Sequence, residues 1–372
     1  MLPEMRLIES EILPMLRERK KLQEAKAARQ LSQWAGTPGV CSLLLSIHPD
    51  DISEMKLLPD YNLEEIHYDD EKMLVHQLRD ALTTALAEGD AVPSVRANVG
   101  CGALCTLLGG LKQNFYADKM PWLQERLTAE QVMTMTARDI TESPEFRRGL
   151  AQMRFMRDFL AGTGIEVYPM DLQGPIDVAH LLLGDRFFYD LYDDPELVHK
   201  ALQLAVEVDA YGMQKCLDVI RPTDHVAHYN GLVLPKETPL KVSEDTSTLL
   251  SRNHLREYMV PYTTALLKRF GGGYIHYCGD NKHLLALVPG LENAIGLNFG
   301  NPERHDPAAV LGALREKKMC YYGALNIPWQ EQLALSRGED GAYNSFIPVH
   351  CRASQQAELI DRFGESVLSA TA

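Results

Sequence analysis

From residue 40 onwards, short apolar stretches alternate with longer segments of helical periodicity, and that alternation leaves few architectures open. Strand-like stretches fall at 40–47, 92–98, 166–171, 226–230, 240–244, 274–278, 294–299, 319–325 and 345–351. Between them, Leu74, Leu78 and Leu82 recur four apart. Leu255, Met259, Leu266 and Phe270 share one side of a segment that Ser251 can cap. Asp194-Pro195 reads as N-cap and first turn of a long helix reaching Val219. Thr128 and Gln131 have the spacing of a capping box. Strands separated by helices predict right-handed crossovers around a parallel sheet. About eight such pairs predict a (β/α)8 barrel with an N-terminal helical extension. It is expected to be one structural domain, with the extension and first barrel elements in 1–92 and the main part of the barrel in 93–372. A doubly wound open sheet is the alternative, because periodicity does not show closure. In a barrel, the C-terminal strand ends and the loops after them form the active face. That would gather His48, Asn98, Asp171, Asn230, Glu244, Cys278, Asn298, Asn326 and Cys351 near one mouth.

Glycines 271–273 stop a helix and lead into Tyr274-Ile275-His276-Tyr277-Cys278. On a strand, His276 and Cys278 point to the same face. An imidazole and a thiolate there can share a borderline cation such as zinc. At least one further ligand is required, and Cys320 and Cys351 are the downstream candidates. A buried His and Cys that only pack would be the plain alternative. Cys101 and Cys105, four apart, lack a second pair and read as packing, as does Cys216.

The 372-residue chain is 45% hydrophobic and 24% charged, which suits a globular fold and argues against disorder. Its net charge of -14 opposes general nucleic-acid binding, because no basic field offsets phosphate repulsion. Seven scattered cysteines are poorly suited to a disulfide framework and point to reduced thiols, a metal site and a cytoplasmic location. Leu2, Met5, Ile8, Ile12 and Met15 recur at helical spacing and predict an amphipathic helix. It is expected to pack on its own barrel or on a partner subunit, the latter giving a homodimer. No secretory leader and no run of about 18 apolar residues is present, so no membrane span is expected.

The stretch Pro169-Met170-Asp171-Leu172-Gln173-Gly174-Pro175-Ile176-Asp177, running on to Leu183-Gly184, resembles the uroporphyrinogen decarboxylase superfamily. So do Ser243-Glu244-Asp245, Pro261-Tyr262, His276-Tyr277-Cys278-Gly279, Gly300-Asn301-Pro302-Glu303 and Tyr322-Gly323-Ala324-Leu325-Asn326. The resemblance runs from about Pro93 to the C-terminus and implies a (β/α)8 barrel. Within the superfamily the chain is more similar to the zinc-dependent corrinoid methyltransferases, which carry a His-x-Cys pair and a distant Cys near the last strand. The resemblance implies His276, Cys278 and Cys351 as metal ligands and catalytic centre, with Glu303 as the fourth ligand. It places Cys320 inside a strand as packing. The arginine-rich signature of true uroporphyrinogen decarboxylases is missing, with Arg96 its single stand-in, so porphyrinogen decarboxylation is not expected.

The implied activity moves a methyl group between a corrinoid protein and a small acceptor, a thiol activated as a zinc thiolate. The methylcobalamin or other corrinoid would arrive on the partner protein, because this chain has no Asp-x-His-x-x-Gly run to hold it. Glu244 is a candidate general acid, and Asn98, Asp171, Gln173, His228, Asp245 and Asn298 are candidate substrate contacts. Two other classes fit the same barrel: a metal-free decarboxylase or lyase, and a non-catalytic binding module of the corrinoid pathway.

Overall fold

A computed structural model describes residues 2–369. The chain is a mixed α/β structure around a six-stranded parallel sheet. We number the parallel strands in chain order: β1 (Leu43–Ile47), β2 (Ser94–Val95), β3 (Glu166–Val167), β4 (Leu240–Ser243), β5 (Gly273–Tyr277), β6 (Ala294–Phe299), β7 (Cys320–Tyr322) and β8 (Ser345–Cys351). The six-stranded sheet has the order β1-β8-β7-β6-β5-β4, and β2 and β3 form a separate parallel ladder. Residues 226–230, read as strand, form no part of either. His225–Ala227 instead pairs antiparallel with Val233–Pro235. Asn230 at the tip adopts a left-handed backbone, φ 55°, which asparagine tolerates better than most residues.

Strand alternation separates two cores. Leu43, Leu45, Ile275, Tyr277, Leu297, Tyr321 and Ile347 face the helices in one large apolar cluster. Leu44, Tyr274, Tyr322 and Phe346 point the other way, into a smaller cluster with Leu232 and Leu234 of the antiparallel ribbon. Each fully buried Leu or Phe contributes about 1.5–3 kcal/mol relative to exposure. The ribbon thus packs Leu232 and Leu234 against the inward-facing side chains of the sheet.

The expected helix and cap signals form. Asp194 caps Pro195–Ile220 through Leu197 N (3.2 Å). The Thr128 and Gln131 box closes at 3.2 and 2.8 Å. Ser251 accepts from His254 N, although that helix passes through a π turn at Leu255–Met259 before Val260–Arg269. Gly271 ends it at φ 78°, where a Cβ would lie 2.1 Å from the Glu237 carbonyl oxygen.

The N-terminal helices bury Met5, Ile8, Ile12 and Leu16 against this same chain, so their apolar stripe has an intramolecular partner. The helix Lys20–Trp34 then closes the underside, an element the sequence reading did not single out. Gln30 donates to the Asp90 and Gly231 carbonyls at 2.7 Å, and Trp34 donates to the Val233 carbonyl at 2.7 Å. Among the described residues, no helix is long and apolar enough to cross a membrane.

Candidate metal centre

β4 and β5 lie side by side in register, with Ser243 opposite His276. The chain leaving β4 therefore carries Asp245 toward the end of β5. Asp245 Oδ1 accepts a hydrogen bond from Cys278 N at 2.6 Å and lies 3.8 Å from His276 Nε2. Cys278 Sγ is 3.4 Å from the same nitrogen. The carboxylate oxygen, imidazole nitrogen and thiol sulfur all lie within 4.8 Å of one another.

The surroundings hold each group in place. His276 Nδ1 is 2.5 Å from Asn298 Oδ1. Asn298 Nδ2 donates to the Tyr322 carbonyl, which leaves Oδ1 as the acceptor toward the ring. Nδ1 must then carry the proton, and the Nε2 lone pair faces Cys278 and Asp245. Asp177, wholly within the fold, accepts from Asp245 N (3.0 Å) and Thr246 N (2.7 Å), fixing the turn after β4. Gly300 makes room for the thiol, because a Cβ there would sit 2.2 Å from Cys278 Sγ. Burial and the Lys241 charge lower the His276 pKa, so the ring is neutral. Burial, followed by the Asp245 charge, pushes the Cys278 thiol up to about 11. A neutral imidazole, a carboxylate and a thiol that a cation could deprotonate form a suitable three-residue set for zinc with one position open.

A cavity of about 550 Å³ opens beside this cluster. His276, Asn298, Asp171 and His228, all singled out in the sequence, line it. His228 is buried with its Nε2 2.9 Å from the Pro239 carbonyl, so it donates there and is spoken for. Burial lowers its pKa to about 4.

No known family model and no curated protein matches this chain.

Several expected residues lie elsewhere. Cys351 is absent from the cluster. On β8, Pro348 and His350 face the cavity, whereas Ile347, Val349 and Cys351 pack on the helix side. Cys351 is thus on the opposite face of its strand from the one a ligand needs. Cys320 is buried at the start of β7 in the smaller core, away from the cluster. Glu303 is exposed, held by Asn301 at 3.1 Å, and is not a member of the cluster. Glu244 is fully buried and is gripped by Thr263 and, at 2.9 Å, by Ser247, so it supports the fold without lining the cavity. Gln173 is buried and Asn98 half-buried, and neither lines the cavity. Asp245, expected as a substrate contact, instead completes the cluster.

Lys241 and His350 were missed. Both line the cavity, and His350 does so at an alternate position with Pro348 on the same strand. A lysine inside the short apolar run Leu240–Ser243 was the readable signal for the first.

Proposed function

We propose that this chain is a zinc-dependent methyltransferase that passes a methyl group between a corrinoid carried by a partner protein and a small thiol acceptor. The observation that carries the reading is the convergence of Asp245, His276 and Cys278 at the strand ends, beside a cavity large enough for a small substrate. The resemblance of 93–372 to the corrinoid methyltransferases supplies the reaction class. The metal set is revised to Asp245, His276 and Cys278.

We also propose that the eight parallel strands close into a (β/α)8 barrel. Arg96 and Tyr168, just beyond β2 and β3, line the same cavity as residues of β4 to β8. Single hydrogen bonds bridge both seams: Asp90 N to the Leu43 carbonyl (2.6 Å) and Gly174 N to the Ser243 carbonyl (2.7 Å).

When bound, zinc would supply a Lewis acid that favours the ionised form of a thiol at its open position. The protein's own groups do the rest. Asn298 keeps the Nδ1 proton in place so that Nε2 remains a donor atom. The Cys278 amide holds the Asp245 carboxylate, and Asp177 holds the backbone turn that carries it. The apolar walls Phe299, Tyr322 and Met170 keep the reacting sulfur in a partly dry site, where the attack on a methyl group meets less competition from water.

The test is the loss of methyl from methylcobalamin with 3-mercaptopropionate as acceptor, followed by the cobalamin absorption change. Turnover by the zinc-loaded protein and its loss in His276→Ala are expected. Equal rates in the two proteins would refute the assignment.

A further inference from the structure

A second cavity, of about 480 Å³, opens between β1 and β2. These two strands share no ladder, and the hydrogen bond from Asp90 N to the Leu43 carbonyl ties only the start of the seam. Farther along, Gln77 of the helix Asp70–Ala85 takes the place of a strand partner, accepting from Arg96 N at 3.0 Å. The helix therefore backs the gap, and Gln77, Ala81 and Thr84 line the cavity from that side. Leu44, Ser46 and Thr84 are buried within it, whereas His48, Pro49 and Asp80 are exposed and mark its mouth. Tyr168, Tyr229, Asn230, Pro348 and His350 form a wall shared with the first cavity.

Among the described residues, Asp80 is the one Asp, Glu, Lys or Arg that lines this cavity. Its carboxylate has no hydrogen bond or ion pair among them, because Thr83 Oγ1 donates to the Asp80 main-chain carbonyl instead, at 2.7 Å. Arg352 lies 3.2 Å from His48 Nδ1 but is already paired with Asp51 at 3.1 Å. The hydroxyls deeper in the cavity are engaged as well. Ser46 is bonded to His350, Thr84 to the Ala81 carbonyl at 3.0 Å and Ser94 to the His228 carbonyl at 3.0 Å. What they leave open to a ligand is the apolar surface of Leu44, Ile47, Ala81 and Pro348 and the rings of Tyr168 and Tyr229. A single free negative charge thus stands at the mouth of a cavity with apolar and aromatic walls.

We infer that this second cavity is a binding site for an organic ammonium ion, an amine whose apolar body fills the gap between β1 and β2 while its charged head pairs with Asp80. The site is separate from the cluster of Asp245, His276 and Cys278 and needs no metal. An ammonium group at the mouth donates to the carboxylate and keeps its remaining hydrogens in water. The aromatic wall favours a cation further, because a ring face attracts positive charge. An acid of the same shape meets like charge at Asp80, and the net charge of -14 repels it at longer range. Because Asp80 is exposed, water screens the contact, and the preference for a cation is about fivefold rather than a hundredfold.

The experiment titrates full-length protein with benzylammonium, benzyl alcohol and benzoate, three probes of one shape and different charge, and reads binding from the ligands' NMR signals by saturation transfer. Benzylammonium should bind about fivefold more tightly than benzyl alcohol, and benzoate more weakly than either. Asp80→Asn should bring the amine and the alcohol to the same affinity, and Asp80→Glu should keep the amine ahead. Asp80 is an exposed helix residue, so both variants should fold, as circular dichroism would show. Zinc loading should leave the amine affinity unchanged, because the site lies apart from the cluster. Equal affinities for amine and alcohol in the wild type, no binding of either, or a preference that survives Asp80→Asn would overturn the site. Displacement of the amine by zinc would also overturn it, by placing the amine at the cluster instead.

Discussion

His276 is held by a single acceptor, Asn298 Oδ1, which decides which ring nitrogen faces the cluster. Supporting contacts of this kind raise metal affinity by about 10- to 100-fold. Asn298→Ala should therefore weaken zinc binding by about that factor, measured by competition with a chromophoric chelator, while Tm changes little. Cysteine chemistry divides in the same way. Cys278→Ser should lose zinc, whereas Cys351→Ser should retain it, because Cys351 faces the helices. Zinc analysis of the two variants separates this arrangement from the ligand set that the family resemblance implies. The face that Cys351 takes was not legible in the sequence, for a physical reason. Phe346 and Ile347 are both fully buried, one in each core, so the run before Cys351 is apolar on both faces. Period-two reading needs one polar face to set the parity, and this strand puts its polar residues Ser345 and His350 on opposite faces.

At the scale of elements, the cluster depends on the loop after β6 giving way to the end of β5. Gly300→Ala would place a methyl carbon 2.2 Å from Cys278 Sγ. The thiol must move, so this variant should bind zinc at least about tenfold more weakly and remain folded, as zinc titration and circular dichroism would show. The strands and helices themselves were legible, because Asp194-Pro195, the Thr128 box and the leucine spacing are local signals that tertiary packing did not override. The ribbon at 225–235 was not, since a short β-rich stretch has the same composition whether it joins the central sheet or turns back on itself. Asp245 was visible as an acid after a strand. Its place beside His276 and Cys278 was not, because only the pairing of β4 with β5 brings its carboxylate to the imidazole.

Across the whole molecule, the helical face around the sheet contains a buried titratable pair that should govern acid stability. His67 is fully buried, stacked on Phe115 at 3.3 Å between ring centres, and Arg148 donates to its Nε2 at 3.0 Å. Burial, with the Arg148 charge, lowers its pKa from 6.5 to about 3. The unfolded chain therefore takes up a proton that the folded chain refuses. This stability is full above pH 6.5 and is lost as the pH falls toward 3. The slope is at most about 1.4 kcal/mol per pH unit from this group. His67→Gln should flatten the decline between pH 6.5 and 4, measured by denaturant unfolding at several pH values; an unchanged slope would show that His67 is solvated or already charged. The overall plan of parallel strands follows from the alternation of strand and helix. The cluster of Asp245, His276 and Cys278 follows only from which strands become neighbours. X-ray absorption of the zinc-loaded protein tests that centre most directly. The account predicts one sulfur at about 2.3 Å and nitrogen or oxygen scatterers at about 2.0–2.1 Å. A first shell with two sulfurs would contradict it and return a second cysteine to the site.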